Sequence, residues 1–524
     1  MSGAARTRPG ILVLLCVALL GLGMPSASEG QTAPRALAGA SPPPAEQGPT
    51  PDAPAVAAGA SASNTIAINV TWTLMAGFLV MFMQAGFAML ETGFTRAKNV
   101  AHTMAMNLSV YAVGMLGYWT CGYALQMGGV GPPAALGGVG GAGRELTIEL
   151  FGRPFGFAGA QGFFLGSASA DASVLAMFLF QVMFMDTAAT IPTGSMAERW
   201  KFSAFLVFGL FMSMFAYPIH ANWVWGGGWL SQLGTHFGWG HGYVDFAGSS
   251  VVHMIGGIAA LAGAMVLGPR IGKFSAAGRP QPIPGHHLPM ALVGSFVLAF
   301  GWFGFNAGST LAGSDPRIAA IAVNTMLAGA AGALTAMAYV WWRFGKPDPT
   351  MVANGLLAGL VAITASCAYV GTATAVFVGS VAGVLVVAAV LFIEETLKID
   401  DPVGAVSVHA VNGTWGVLAL GLFADGTYGT GLNGVGGAVR GLLYGDPSQL
   451  LAQVVGAAAC WIFGFVLFYV FFLTVEVLMG NRVSADAEIE GLDMPEMGAM
   501  AYPDFALIPG PESVSSVPRV VGGN

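Results

Sequence analysis

The stretch DFAGSSVVHMIGGIAAL, residues 245–261, sets His253 inside an apolar run long enough to cross a bilayer. It recurs in DDPVGAVSVHAVNGTWGVLALGLF, residues 400–423, where Asp401, Val408, His409 and Gly413 keep the spacing of Asp245, Val252, His253 and Gly257. In both, an Asp stands eight residues before the His, a Val directly before it and a Gly four after it. At about 1.5 Å per residue, eight residues carry each histidine some 12 Å into a hydrocarbon core about 30 Å thick. A single buried histidine is most often a packing residue; two with matched flanks point to a functional pair at mid-membrane depth, where ionisable groups are costly.

The surrounding composition agrees. The chain has 524 residues, 55% of them hydrophobic and 9% charged, with mean hydropathy +0.70, which places it among integral membrane proteins. A net charge of -7 without a basic cluster excludes a nucleic-acid partner. Four cysteines without CxxC spacing form no disulfide framework, and no HExxH, third histidine or cysteine cluster joins the two histidines, so neither a metal nor another cofactor is expected.

Residues 1–28 read as a cleaved signal peptide: Arg6 and Arg8, the apolar run ILVLLCVALLGLGM, then Ser26-Ala27-Ser28. Residues 29–62, rich in Pro, Ala and Gly, are expected to form a disordered exported tail. The remaining apolar runs predict an all-α integral membrane protein with eleven transmembrane helices, near 66–93, 100–126, 172–196, 202–224, 246–268, 289–310, 318–342, 351–370, 374–394, 404–423 and 451–479. Residues 66–480 make the transmembrane domain and 481–524 a cytoplasmic C-terminal tail. With the mature N-terminus outside, twelve Lys and Arg fall in inside segments against five outside, as the positive-inside rule asks of a multi-pass protein of the cell membrane. The fifth and tenth helices then run in opposite directions. Two inverted five-helix repeats plus one appended helix follow, with the site near the midplane where the halves meet. The Gly-rich loops 127–170 and 424–450 are read as flexible connections; GVGGAGR (138–144) formally matches GxGxxG but follows no strand.

Facing each other, neutral His253 and His409 would share a proton and offer hydrogen bonds to a small polar solute. Aromatic and small residues gather toward the outer helix ends: Trp225 in NWVWGGGWL, Phe180 and Phe184 in FQVMF, and Trp302, Phe305 and Ser309 in GWFGFNAGS. Aromatic faces attract a desolvated cation by about 1–2 kcal/mol, although such residues also populate cores and interfacial belts.

The motifs DFAGSSVVHM, GWFGFNAGS, DDPVGAVSVHAVNG, AERWKFSAF, RAKN and EIEGLD together resemble the ammonium transporters of the Amt/Mep/Rh superfamily, over about residues 66–502. The resemblance implies an outer recruitment site of Trp225, Phe184 and Ser309, with Asp245 the structurally needed acid beneath it. It implies a gate of Phe180, Phe184 and Phe305, and a lumen lined by His253 and His409. It also implies a homotrimer with one ammonium/ammonia pore per subunit, closed in many bacteria by a PII signal protein at the cytoplasmic face. A pore of this kind refuses a permanent charge, so ammonium must leave its proton behind and cross as ammonia; whether the proton follows is left open. The competing readings are an ammonium sensor signalling through its tail and an intramembrane hydrolase, the latter without a nucleophile motif. Three features depart from the family pattern. Asp186 stands two residues after Phe184, where it could accept a proton, hold a cation or pack as a hydrogen-bonded acid. Glu91 is expected to pair with backbone or Arg96. The tail carries Met497 where a histidine is expected and runs on past Tyr502.

Overall fold

The computed structural model describes residues 53–138 and 143–503. The helical bundle belongs to the unit that begins at Gly59. The expected signal peptide, most of the exported tail and part of the GxGxxG match lie outside the described residues.

Helices stand where the apolar runs lie: α1 Ala53–Phe94, α2 Val100–Gly117, α3 Ala172–Ser195, α4 Phe202–Trp225, α5 Ser249–Leu267, α6 Leu288–Thr310, α7 Arg317–Phe344, α8 Pro349–Ile363, α9 Thr372–Thr396, α10 Val406–Phe423 and α11 Pro447–Met479. A short α12, Ala485–Glu490, follows. Among the described residues nine of these, all but α2, α8 and α12, are long and apolar enough to cross a membrane. α8 is the shorter one, because Thr364–Val370 leaves the helix in turns. α2 runs on through a π turn, Tyr118–Gly122, into Tyr123–Met127. α1 starts thirteen residues before the apolar run at 66 and so takes in residues 53–62 of the expected tail.

Local chemistry sets the helix ends. Asp171, Asp348 and Asp446 cap α3, α8 and α11 by accepting hydrogen bonds from backbone N–H two residues on, and Pro follows two of them at the first helical position. Small residues set the packing. An added Cβ at Gly332 of α7 would lie 2.3 Å from the carbonyl oxygen of Gly355 in α8, so these helices approach backbone to backbone. Along α11, Val466, Val470 and Val477 are exposed, the surface that a bilayer would solvate.

The Gly-rich loops are not unstructured. Each folds a small antiparallel ribbon, β1 Glu145–Leu150 with β2 Arg153–Gly159, and β3 Asp425–Thr430 with β4 Ala438–Arg440. Their many glycines hid the strand alternation that ELTIEL carries.

At the end of the bundle where α4 begins, a buried ion cluster joins three loops. Glu198 pairs with Arg96 at 2.5 Å and Arg270 at 3.3 Å, and Arg270 pairs with Asp400 at 2.9 Å. Arg199, fully buried, donates to the carbonyls of Ala197, Gly268 and Asp400. Burial works against ionised Asp400, but Arg199 and Arg270 outweigh it and hold its carboxyl down to about 2. The C-terminal segment docks on the same end. Glu488, Asp493 and Glu496 accept hydrogen bonds from the backbone N–H of Ile271, His102 and Phe202. The last two lie in the first turns of α2 and α4, where the helix dipole favours an anion.

Candidate functional site

The repeated motif becomes a repeated shape. Gly248 and Gly404 both adopt left-handed backbone, φ 111° and 79°, which a side chain would resist. Each is followed by a π turn, Ser249–Met254 and Val406–Val411, and each π turn carries one of the histidines. Such turns are rare and concentrate at functional sites. The Asp of each motif caps its turn. Asp245 accepts from the backbone N–H of Gly248, Ser249, Ser250 and Val251 and from Ser250 Oγ, at 2.7–3.0 Å. Asp401 Oδ2 accepts from Val406 N–H at 2.8 Å, while its Oδ1 is buried without a partner.

The glycine four residues after each histidine sets the crossing. A Cβ at Gly257 would lie 2.3 Å from the nitrogen of Ala410, the residue after His409. One at Gly413 would lie 2.4 Å from the Ser249 oxygen and 3.1 Å from the nitrogen of Met254, the residue after His253. The contact is reciprocal. It brings the two rings together: Nδ1 of His253 and Nδ1 of His409 are 3.1 Å apart, with ring centroids 5.2 Å apart and planes inclined by 22°. A hydrogen bond between two Nδ1 atoms requires one ring to carry its proton on Nδ1 and the other on Nε2. Nε2 of His253 is buried without a protein partner.

Toward the Trp225 end, aromatic rings continue from the histidines. His253 stacks on Trp302 (5.1 Å) and Phe305 (5.2 Å), Phe305 stacks on Phe184 (4.2 Å), and Phe184 meets Phe180 (4.5 Å) and, edge-on, Trp225 (6.0 Å). Phe180, Phe184 and Phe305 are buried, so stacked rings close the way between Trp225 and His253. Trp225 and Ser309 remain half-buried. Trp225 Nε1 donates to the Asp245 carbonyl at 2.7 Å, and Ser309 Oγ donates to the Phe305 carbonyl at 2.8 Å, which leaves the serine oxygen free to accept. Asp245 thus touches the site through its backbone; its carboxylate is saturated by the five donors.

On the other side His409 lies 6.3 Å from Phe87 and borders a small cavity with Glu91, Asn354 and Val408, with room for about one water. Glu91 accepts from Asn107 Nδ2 (2.8 Å) and Thr193 Oγ1 (2.6 Å). Of the two partners expected for Glu91, backbone or Arg96, the second is corrected: Arg96 bonds Glu198, beyond the end of α1, while Glu91 turns inward and also meets the Gly194 backbone. Asp186 does not join the ring series. Two residues on a helix turn the side chain by about 200°, away from Phe184 and toward α2. There Oδ1 lies against Gly114, buried and without a hydrogen-bond partner.

Residue-by-residue reading missed Trp302 as a wall of the histidine site, held by its Nε1 donating to Thr364 Oγ1 at 2.9 Å. Its place in GWFGF, three residues before Phe305, was the available signal.

Matches to known proteins give the family. Residues 71–502 match the model of the Ammonium Transporter Family. The chain is 47% identical over 444 residues to ammonium transporter Amt2 of Archaeoglobus fulgidus, covering 84% of this chain and 89% of that one. It is 37% identical over 470 residues to Amt1 of Haloferax mediterranei, covering 87% and 84%. Among solved structures it resembles a sensor Amt protein, with TM-score 0.72 and 33% identity over 83% of this chain and 99% of that one. It also resembles Mep2 of Candida albicans, with TM-score 0.67 and 29% identity over 84% and 92%. The chain is a multi-pass membrane protein of the ammonium transporter family.

Proposed function

We propose that the chain conducts ammonium nitrogen across the cell membrane as ammonia, taking ammonium at the Trp225 end and releasing ammonia past His409. The observation that carries this reading is the 3.1 Å Nδ1 contact between His253 and His409. Two neutral imidazoles meet in that contact, buried among apolar rings. They hydrogen-bond well to a neutral solute that both donates and accepts.

Ammonium first meets the rings of Trp225 and Phe184 and the free acceptor of Ser309. A permanent cation would then have to enter the stacked Phe184–Phe305 region and the histidine lumen, at a cost of at least about 3 kcal/mol. That is roughly a hundredfold in population, at 1.4 kcal/mol per tenfold. Ammonium avoids the cost by passing its proton to water at the open Trp225 end; potassium has no proton to give. The rings of Phe184 and Phe305 turn aside to let ammonia through, and the His pair relays it to the small cavity beside Glu91. Asp245 acts indirectly, by holding the His253 turn and Trp225 together.

The same reading takes α1–α11 as eleven spans in two inverted five-helix repeats plus α11, with the signal peptide removed, the N-terminus outside and the C-terminus in the cytoplasm. The reciprocal Gly257 and Gly413 contacts support the inverted relation. Assembly as a homotrimer, and closure by a PII protein on the face where the C-terminal segment docks, belong to it as well. Transport is favoured over sensing by the identity to proteins named ammonium transporters.

The test is growth of cells lacking their own ammonium uptake, on low ammonium, with this chain or its His253→Asp variant, together with ammonium and proton flux in liposomes. Wild type should restore growth, and the variant should change the rate or the ion selectivity. Correctly inserted protein with no flux in either assay overturns the proposal.

A further inference from the structure

Away from the ring series, at the same end of the bundle as Trp225, the β1–β2 ribbon presses one carboxylate into a bed of acceptors. Glu145, the first residue of β1, is half-buried. Its Oε2 accepts from Asn222 Nδ2 at 3.2 Å, and its Oε1 is buried with no partner. Asn222, in the last turn of α4, is fully buried; its Nδ2 also donates to the Gln126 carbonyl at 3.1 Å, and its Oδ1 is unpartnered. The orphan oxygens lie against two neighbouring glycines: a Cβ at Gly228 would lie 2.6 Å from Asn222 Oδ1, and one at Gly156 would lie 2.9 Å from Glu145 Oε1 and 3.1 Å from Gly228 Cα. Gly129 completes the cradle, since a Cβ there would lie 2.0 Å from Glu145 Oε2. Among the described residues no Lys, Arg or His forms an ion pair with Glu145.

Two buried oxygens without donors, one of them on a carboxylate, are a costly arrangement unless a positive charge or a proton joins them. We propose that Glu145 and Asn222, with the Gln126 carbonyl, form a binding site for a small dehydrated monovalent cation, ammonium or potassium, which clamps the β1–β2 ribbon onto the end of α4. This site is separate from the aromatic one: Asn222 precedes Trp225 by three residues, and the ligands here are oxygens rather than ring faces. Only the choice of ammonium as a probe rests on the transport reading. The cation competes with a proton for the same carboxylate. Burial raises the Glu145 carboxyl to about 7, against the lowering effect of the Asn222 hydrogen bond, with no charged neighbour contributing. Above that value the free carboxylate takes the cation; below it the proton replaces the cation.

The experiment is amide hydrogen exchange of residues 145–159 in the purified full-length protein, in ammonium, potassium or choline chloride at matched ionic strength. At about pH 8, ammonium or potassium at ten times its dissociation constant should slow exchange roughly tenfold relative to choline. At about pH 5.5 the difference should vanish, because the carboxyl is then protonated. Glu145→Gln, which keeps the shape and removes the charge, should abolish the salt effect at both values. Trp225→Ala, which dismantles the proposed recruitment site, should leave it intact. Equal exchange in all three salts at about pH 8 means that a proton alone serves Glu145 and overturns the proposal; so does a salt effect that survives Glu145→Gln. Neither result bears on the uptake and flux assays.

Discussion

The two histidine turns, alike in sequence, are held unequally. Asp245 binds its turn through five donors, four of them consecutive backbone N–H groups, and the turn packs against the Trp302 and Phe305 rings. Asp401 Oδ2 accepts one bond from Val406 N–H and its Oδ1 is unpartnered, and His409 borders a cavity. Duplicated motifs thus preserve the crossing and the ring contact while diverging in stiffness. The His253 turn is held by more hydrogen bonds and the His409 turn by fewer, the asymmetry that the proposed uptake at one end and release at the other would use.

The inequality can be broken experimentally, first at its strong end. Asp245→Ala strips an anionic acceptor from four N–H groups and should destabilise the folded protein by about 4 kcal/mol, since hydrogen bonds to charged groups contribute about 1.5–3 each and do not add fully. Thermal unfolding in detergent measures it; a loss no larger than that of Asp401→Ala would show the two caps to be equivalent. Next, Gly257→Val and Gly413→Val should each cost about 3 kcal/mol by forcing the crossing apart. Their losses should agree within about 1 kcal/mol, because the contacts are reciprocal. A large asymmetry would break the pairing of the halves.

The ion cluster behind the His409 turn gives the third test. Asp400 has a folded pKa of about 2, below the usual carboxylate value, so its contribution is complete above about pH 4 and is lost as pH falls through about 2. The loss should amount to about 2 kcal/mol at 1.36 kcal/mol per unit, and Asp400→Asn should remove that part of the acid limb of a stability–pH profile. An unchanged limb would place the charge balance elsewhere. The smallest effect belongs to Asp401→Ala, about 1 kcal/mol, as for an ordinary cap. A loss near that of Asp245→Ala would erase the distinction between the turns.

Much of this was legible in the residues. The eight-residue Asp-to-His and four-residue His-to-Gly spacings located both turns, because a helix start needs a cap and a close crossing needs a residue without a side chain. The GWFGFNAGS run announced aromatic residues at Trp302 and Phe305, though not that Trp302 stacks on His253. Other features were not legible. Glu91, in the last turn of α1, and Arg96, just past its end, sit five residues apart, yet pair with Thr193 and Glu198 from another helix and its following loop, which no local pattern encodes. Asp186 sits beside Phe184 in sequence but faces Gly114. In the 127–170 loop, read as freedom, Gly128, Gly129, Gly143, Gly156 and Gly159 are sites of close approach around the ribbon.

By itself the sequence determined that the chain lives in a bilayer, where its helices lie and that two matched histidines sit deep within them, since hydropathy and spacing are local quantities. Only the tertiary structure decided that their Nδ1 atoms meet, that Phe184 and Phe305 stack above them and that Asp245 is spent on its own turn. The two ring contacts join residues more than a hundred positions apart, and they form only where small residues let two helix backbones come close enough for buried rings to touch; the Asp245 bonds are local, within six residues, and needed only the fold of that turn.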